Sequence, residues 1–158
     1  MDATLVNPFI EGTLHILSTT AFVKVKPDEP QIKKNERASG DITGVLKIDG
    51  DVSGTAAISF SEASILGIVS VMFGEDMVEI NGEIVDAVGE LSNMIAGHVT
   101  TKLTESGKQV KVKLAHVITG AEKAIPHDLN VGPVLSLPFR TTQGKLVVEV
   151  CCRDLTQD

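Results

Sequence analysis

The 158-residue chain has no tryptophan and no tyrosine, and only five phenylalanines, so its core must be built almost entirely from aliphatic side chains. Its two cysteines, Cys151 and Cys152, are adjacent and not expected to bond to each other, which leaves nothing to staple the fold and fits a reducing, cytoplasmic setting. There is no second cysteine pair for a zinc site of the usual spacing. Positive charge is in deficit, with 14 Lys and Arg against 21 Asp and Glu and a net charge of −7. That balance argues against nucleic acid and against anionic membrane surfaces, whose phosphates demand basic patches. No uninterrupted apolar run approaches the roughly 20 residues that span a bilayer. The N-terminal MDATLVNPFIEG carries an acidic residue where a signal peptide needs positive charge. Phosphate-cradling loops of the G-x-x-x-x-G-K-[ST] or G-x-G-x-x-G kind are missing, and so is the G-x-S-x-G elbow of a serine hydrolase.

What is present describes an ordinary globular chain, 42% hydrophobic and 22% charged, of a length that fits a single domain over residues 1–158. Asn7-Pro8 reads as a capped helix start, with Ile10, Leu14, Leu17 and Ala21 as its apolar stripe. Residues 24–39 are polar with two prolines and are expected to be mostly loop, with a short strand near 23–25. Two β-branched runs, 42–48 and 52–60, flank Asp49-Gly50-Asp51 and predict a hairpin. A short helix over 61–73 follows, capped by Ser61 and closed by Gly74. Alternating runs at 110–119, 134–139 and 145–151 predict three further strands, the last two joined by a turn at 141–144, with 120–132 as a loop. Tight turns between consecutive strands imply an antiparallel sheet. The expected fold class is α+β, a hairpin-built antiparallel sheet with helices packed on one side.

The chain is organised around residues 81–107, NGEIVDAVGELSNMIAGHVTTKLTESG, which read as one helix of about 26 residues, or about 39 Å. Asn81 is its expected N-cap and Gly107 its stop, with Glu83 and Asp86 placing negative charge near the positive helix end. Ile84, Val88, Leu91, Ile95 and Val99 form a continuous buried stripe. Opposite them run Glu83, Asp86, Glu90, Asn93 and Gly97, with no Lys or Arg between to neutralise the carboxylates. Gly97 costs roughly 1 kcal/mol inside a helix and would let another backbone come close. This face is expected to be docked against.

Self-contained chemistry is hard to find. His15, His98, His116 and His127 fall on three or four different elements and are expected to be surface or satisfied half-buried residues. The carboxylate stripe could suggest a hard-cation site, but residues on a straight helix diverge rather than enclose, so no metal site is expected. Glu90 and Asn93 remain. At i and i+3 they project from one face, about 5–6 Å apart at Cβ. A solvated polar face would account for that spacing alone, yet Asn is a poor mid-helix residue because its amide competes for backbone hydrogen bonds.

Asp86-x-x-x-Glu90-x-x-Asn93, within EIVDAVGELSNMIAG, resembles the active-site helix of the CheC/CheX/FliY family of chemotaxis phosphatases, and its CheX branch above all. NPFIEGTLHILSTTAF near the N-terminus, VITG at 117–120 and GPVLSLPF at 132–139 carry the likeness along most of the chain, in order. The resemblance implies hydrolysis of the aspartyl phosphate on a CheY-type response regulator, with Asn93 orienting the attacking water and Glu90 pairing with the regulator's lysine. Asp86, Glu83 and Gly97 are assigned to docking. No cofactor of its own is implied, because Mg²⁺ comes with the receiver partner, and a cytoplasmic homodimer joined through sheet edges is expected. Leu14 stands where a second site near Glu11 would need Asn, so one site per chain is expected. His116 stands where the family pattern often has Pro, a place expected to shape a strand start. The competing expectation is a non-catalytic receiver-binding module that uses the same helix face.

Overall fold

The computed structural model of the protein describes residues 3–35 and 37–156. Asp2, on which the reading of the N-terminus rests, and Glu36 of the 24–39 segment lie outside them. Among the described residues three helices, α1 (Ala3–Thr20), α2 (Glu62–Phe73) and α3 (Gly82–Glu105), accompany seven strands. The strands are β1 (Val25–Pro27), β2 (Gln31–Lys33), β3 (Ile42–Gly50), β4 (Val52–Phe60), β5 (Val110–Thr119), β6 (Val134–Thr141) and β7 (Gly144–Asp154). They form one sheet in the order β1-β6-β7-β4-β3-β5, with β2 also on β6, and every pairing is antiparallel. The β3–β4 and β6–β7 hairpins fall where the turn residues predict them.

Alternation along the strands decides which face is which. Ile42, Leu46 and Ile48 of β3, Ala56, Ile58 and Phe60 of β4, and Leu146, Val148 and Val150 of β7 all enter the main core with the helices. The residues between them (Thr43, Thr55, Ala57, Ser59, Glu149, Cys151) face the other way, as a period of two requires. Helices pack on one side of the sheet only. The other side is closed by residues 37–40 and 120–132. There Ala38 and Ile125 pack on Ala57, and a buried carboxylate, Glu149, accepts from Lys33 (2.5 Å) and Ser39 (2.8 Å) and meets His127 Nε2 at 3.1 Å.

Several expectations need correcting. α1 begins before Asn7-Pro8, and Pro8 lies inside it. Burial of Leu5 and Val6 offsets the one helix bond that proline cannot make. Its buried face is Leu5, Phe9, Thr13, Ile16 and Leu17, and Ile10 and Leu14 are only half-buried. The 24–39 segment carries two edge strands, β1 and β2, rather than one near 23–25; both borrow their register from β6. Two histidines depart from the surface or satisfied half-buried expectation. His127 is buried, and the Nε2 of His98 is buried without a hydrogen-bond partner among the described residues. Burial and the neighbouring His15 ring, 5.3 Å away between centroids, push the His98 pKa down.

Candidate active site

α3 starts as its sequence dictates. Asn81 caps it, its side chain accepting from the Ile84 N–H at 3.2 Å, and Ser106 ends it. Ile84, Val88, Leu91, Ile95 and Val99 are fully buried. Glu83, Asp86, Glu90, Asn93 and Gly97 are all exposed, so the long helix presents both faces that its periodicity predicts.

The helix is not centred over the sheet. It lies along β5, the outermost strand on that side, and glycine makes the approach possible. A Cβ on Gly89 would come within 3.2 Å of Leu114 Cδ2, and one on Gly44 of β3 would sit 2.1 Å from Ser92 Oγ. The close approach lets α3 side chains reach the open edge of β5. Asn93 Oδ1 accepts from the Leu114 N–H at 3.1 Å, and Thr100 Oγ1 accepts from the Val112 N–H at 3.2 Å. Positions 112 and 114 are two apart, so both N–H groups point the same way, out from the sheet. Positions 93 and 100 are seven apart, two helical turns, so their side chains come down along one line. The helix thus covers part of an edge that would otherwise stand unpaired.

Between α3 and β5 runs a cleft lined by Val85, Gly89, Met94, Leu114 and Val117, with Asp86, Glu90 and Asn93 beside it. The structure therefore brings three of the five sequence-identified residues together. Glu83 lies one turn before Asp86 and Gly97 one turn beyond Asn93, both outside the cleft lining. A Cβ on Gly97 would meet nothing within 4 Å, so the chain's own packing does not require glycine there. Gly89 is the residue that sequence reasoning passed over. Its signal was available, since a mid-helix glycine costs roughly 1 kcal/mol and asks for a reason. Leu114 and Val117 carried no such signal, because only tertiary packing brings β5 under the helix.

His116 also sits differently from expectation. It does not start a strand. It pairs with Val45 in mid-β5, where the register shifts so that Leu46 faces Leu114, leaving Ala115 as a bulge. Within sheets proline is confined largely to edge strands and bulges, and His116 occupies such a place.

Chemically, the site offers carboxylates, one amide and an apolar cleft on a rigid helix, open to solvent. No three His, Cys, Asp or Glu side chains converge to hold a metal ion among the described residues. Residues 42–140 match the family model described as chemotaxis phosphatase CheX. The chain is 29% identical over 140 residues to the CheY-P phosphatase CheX of Thermotoga maritima, covering 88% of each. It is similar to the crystal structure of the chemotaxis protein CheX from Vibrio vulnificus, at 34% identity and TM-score 0.86, covering 94% of this chain and 99% of that one. At 18% identity and TM-score 0.72 it shares the fold of a chain in the CheX–CheY–BeF₃–Mg²⁺ complex from Borrelia burgdorferi, covering 94% and 97%. The chain belongs to the chemotaxis phosphatase CheX family.

Proposed function

We propose that this protein hydrolyses the aspartyl phosphate of a CheY-type response regulator, acting through Asn93 and Glu90 with residues 1–158 as one domain. The observation that carries the reading is that Glu90 and Asn93 are both exposed one turn apart on a rigid helix, beside a cleft, with no cation of this chain paired to Glu90 among the described residues. An unpaired carboxylate on such a face is suited to meet a partner's lysine. An exposed amide one turn on is suited to enter the partner's phosphate site.

An aspartyl phosphate is an activated acyl phosphate, and the receiver that carries it supplies its own Mg²⁺ and lysine. The helper needs no nucleophile and no strong base. Holding one water in line with phosphorus removes the entropy that the unassisted reaction must supply, and phosphoryl transfer depends mainly on such positioning. The Asn93 amide oxygen accepts a hydrogen bond from that water, and the Glu90 carboxylate pairs with the receiver's lysine and sets the register of docking. Water oxygen attacks phosphorus, the P–O bond to the aspartate breaks, and the water's proton leaves with inorganic phosphate and solvent. Asp86 and Glu83 add negative charge along the same face and steer the partner. Gly97 leaves room for its backbone. The outer edge of β5 at Val112–Leu114 is already capped by Thr100 and Asn93, so a homodimer in the cytoplasm pairs through other stretches of the two sheet edges.

The test measures loss of aspartyl phosphate from a Mg²⁺-bound receiver with wild type, Asn93→Ala and Glu90→Ala. Wild type accelerates hydrolysis; Asn93→Ala loses the acceleration while still binding the receiver held in its phosphorylated form by beryllofluoride. Loss of binding together with activity in Asn93→Ala would make Asn93 a docking contact and leave a non-catalytic binding module. Light scattering tests the dimer.

A further inference from the structure

We infer that the backbone N–H of Leu114 is a positioning group for Asn93, so that the edge strand β5 presets the amide that α3 carries. The inference rests on the catalytic reading of Asn93 given above and extends it to a group with no side-chain chemistry of its own.

An exposed asparagine on a helix has two rotatable bonds and is free to sample several rotamers. Here one partner restrains it. The Leu114 N–H donates to Asn93 Oδ1 at 3.1 Å, the side chain's one hydrogen bond among the described residues. Because the partner is a donor, the bonded amide atom must be the oxygen, and this settles which way the amide faces. The donor is rigid. Leu114 sits in a paired strand between Lys113, opposite Lys47, and the Ala115 bulge, and its N–H points out from the sheet, away from β3. The distance depends on Gly89, whose missing Cβ allows Leu114 to lie against the helix.

The amide oxygen has two lone pairs. One takes the Leu114 N–H, and the second remains to accept from the attacking water, with the amide NH₂ group at a fixed angle to it. Without the Leu114 donor the oxygen and the NH₂ group exchange places freely, and half of the orientations present a donor where the water needs an acceptor. Thr100 and Val112 form the same kind of bond two turns further along α3, outside the cleft, and serve as the internal control.

The experiment replaces Leu114 by its α-hydroxy acid, which exchanges the N–H for an ester oxygen and leaves the side chain in place. Hydrolysis of the phosphorylated receiver is followed for this protein, wild type, Thr100→Val and Asn93→Ala. Losing a bond of ordinary net strength lowers kcat roughly 2- to 12-fold at unchanged KM. Thr100→Val, which removes the neighbouring bond, leaves both constants as in wild type. An ester protein with wild-type or higher kcat overturns the inference while leaving the role of Asn93 intact. Wild-type activity in Asn93→Ala would instead overturn the functional reading. Amide hydrogen exchange provides a measurement independent of catalysis: the Leu114 N–H is protected in wild type and loses protection in Asn93→Ala, while Val112 stays protected. A Leu114 N–H that exchanges as fast as a free edge amide in wild type would sink the proposal.

Discussion

Replacing Glu149 by alanine should cost more than any other single change on the face opposite α3. Its carboxylate is fully buried and accepts from Lys33 Nζ at 2.5 Å and Ser39 Oγ at 2.8 Å, and it meets His127 Nε2 at 3.1 Å, while His127 Nδ1 lies 2.5 Å from Thr55 Oγ1. Lys33, nine per cent exposed at its side chain, also donates to the Arg37 carbonyl. The Glu149→Ala change therefore strands a nearly buried ammonium and removes the carboxylate to which Ser39 and His127 also bond. Breaking a buried pair by removing one partner costs roughly 3–5 kcal/mol, which for a chain of this size corresponds to a fall in Tm of about 6–20 °C. Burial alone would raise the Glu149 pKa, but the bonds from His127, Lys33 and Ser39 outweigh it, and the net direction is down from the ordinary 4.5. A depressed carboxylate contributes its full stabilisation above that ordinary value and loses it as pH falls through the lower, folded value. The difference between wild type and variant is thus largest at neutral pH and shrinks below about pH 4.5. With no Trp or Tyr to report by fluorescence, far-UV circular dichroism in urea is the assay. Lys33→Met combined with Glu149→Leu should cost less than the two single changes added together, because neither charge is then left alone. Additive costs, or a loss under about 1 kcal/mol for Glu149→Ala, would refute the reasoning.

Other changes follow from the same packing. Ser92 Oγ is buried without a hydrogen-bond partner among the described residues, so Ser92→Ala should be neutral or stabilising by up to about 1 kcal/mol in urea unfolding. Gly44→Ala places its Cβ 2.1 Å from that oxygen and should cost roughly 1–3 kcal/mol, part of it recovered in the double variant with Ser92→Ala. Burial, with Cys151 and Asp154 adding to it, pushes the Cys152 thiol up to about 12, and burial with Asp128 raises the Cys151 thiol too, so neither buried cysteine of the folded protein should react with a disulfide reagent at pH 8, whereas both react in urea. Glu90→Ala should raise the KM for the phosphorylated receiver more than it lowers kcat, because Glu90 sets docking rather than the water; salt should weaken the wild type more than the variant.

Much of the fold was legible because local rules agreed with one another. The two hairpins followed from Asp49-Gly50-Asp51 and from the turn before Gly144, and α2 from Ser61 and Gly74, whose φ of +69° is the left-handed cap a glycine supplies. What failed were elements whose local signal was weak or misleading. β1 and β2 are three residues each in a polar, proline-bearing stretch and exist because β6 offers an edge. The start of α1 was misplaced because Pro8 reads locally as a beginning, while burial of Leu5 and Val6 extends the helix past it.

The sequence by itself determined α3 and its two faces, since a period of 3.6 residues separates Ile84, Val88, Leu91, Ile95 and Val99 from Glu83, Asp86, Glu90, Asn93 and Gly97 wherever the helix is placed. It determined the hairpins, the capped ends and the motif that carries the family likeness. Only the tertiary structure decided that Gly89 and Gly44 let this helix settle along the β5 edge, that Leu114 and Val117 form the cleft beside Glu90, and that a backbone N–H meets Asn93. It also decided that Glu149 is buried, because period-two alternation says which side of a strand a residue faces but not what covers that side. Helical and strand periods are properties of neighbours in the chain, whereas a cleft, a capped edge and a buried carboxylate are made by segments twenty to more than a hundred residues apart, and their contacts leave no local pattern to read.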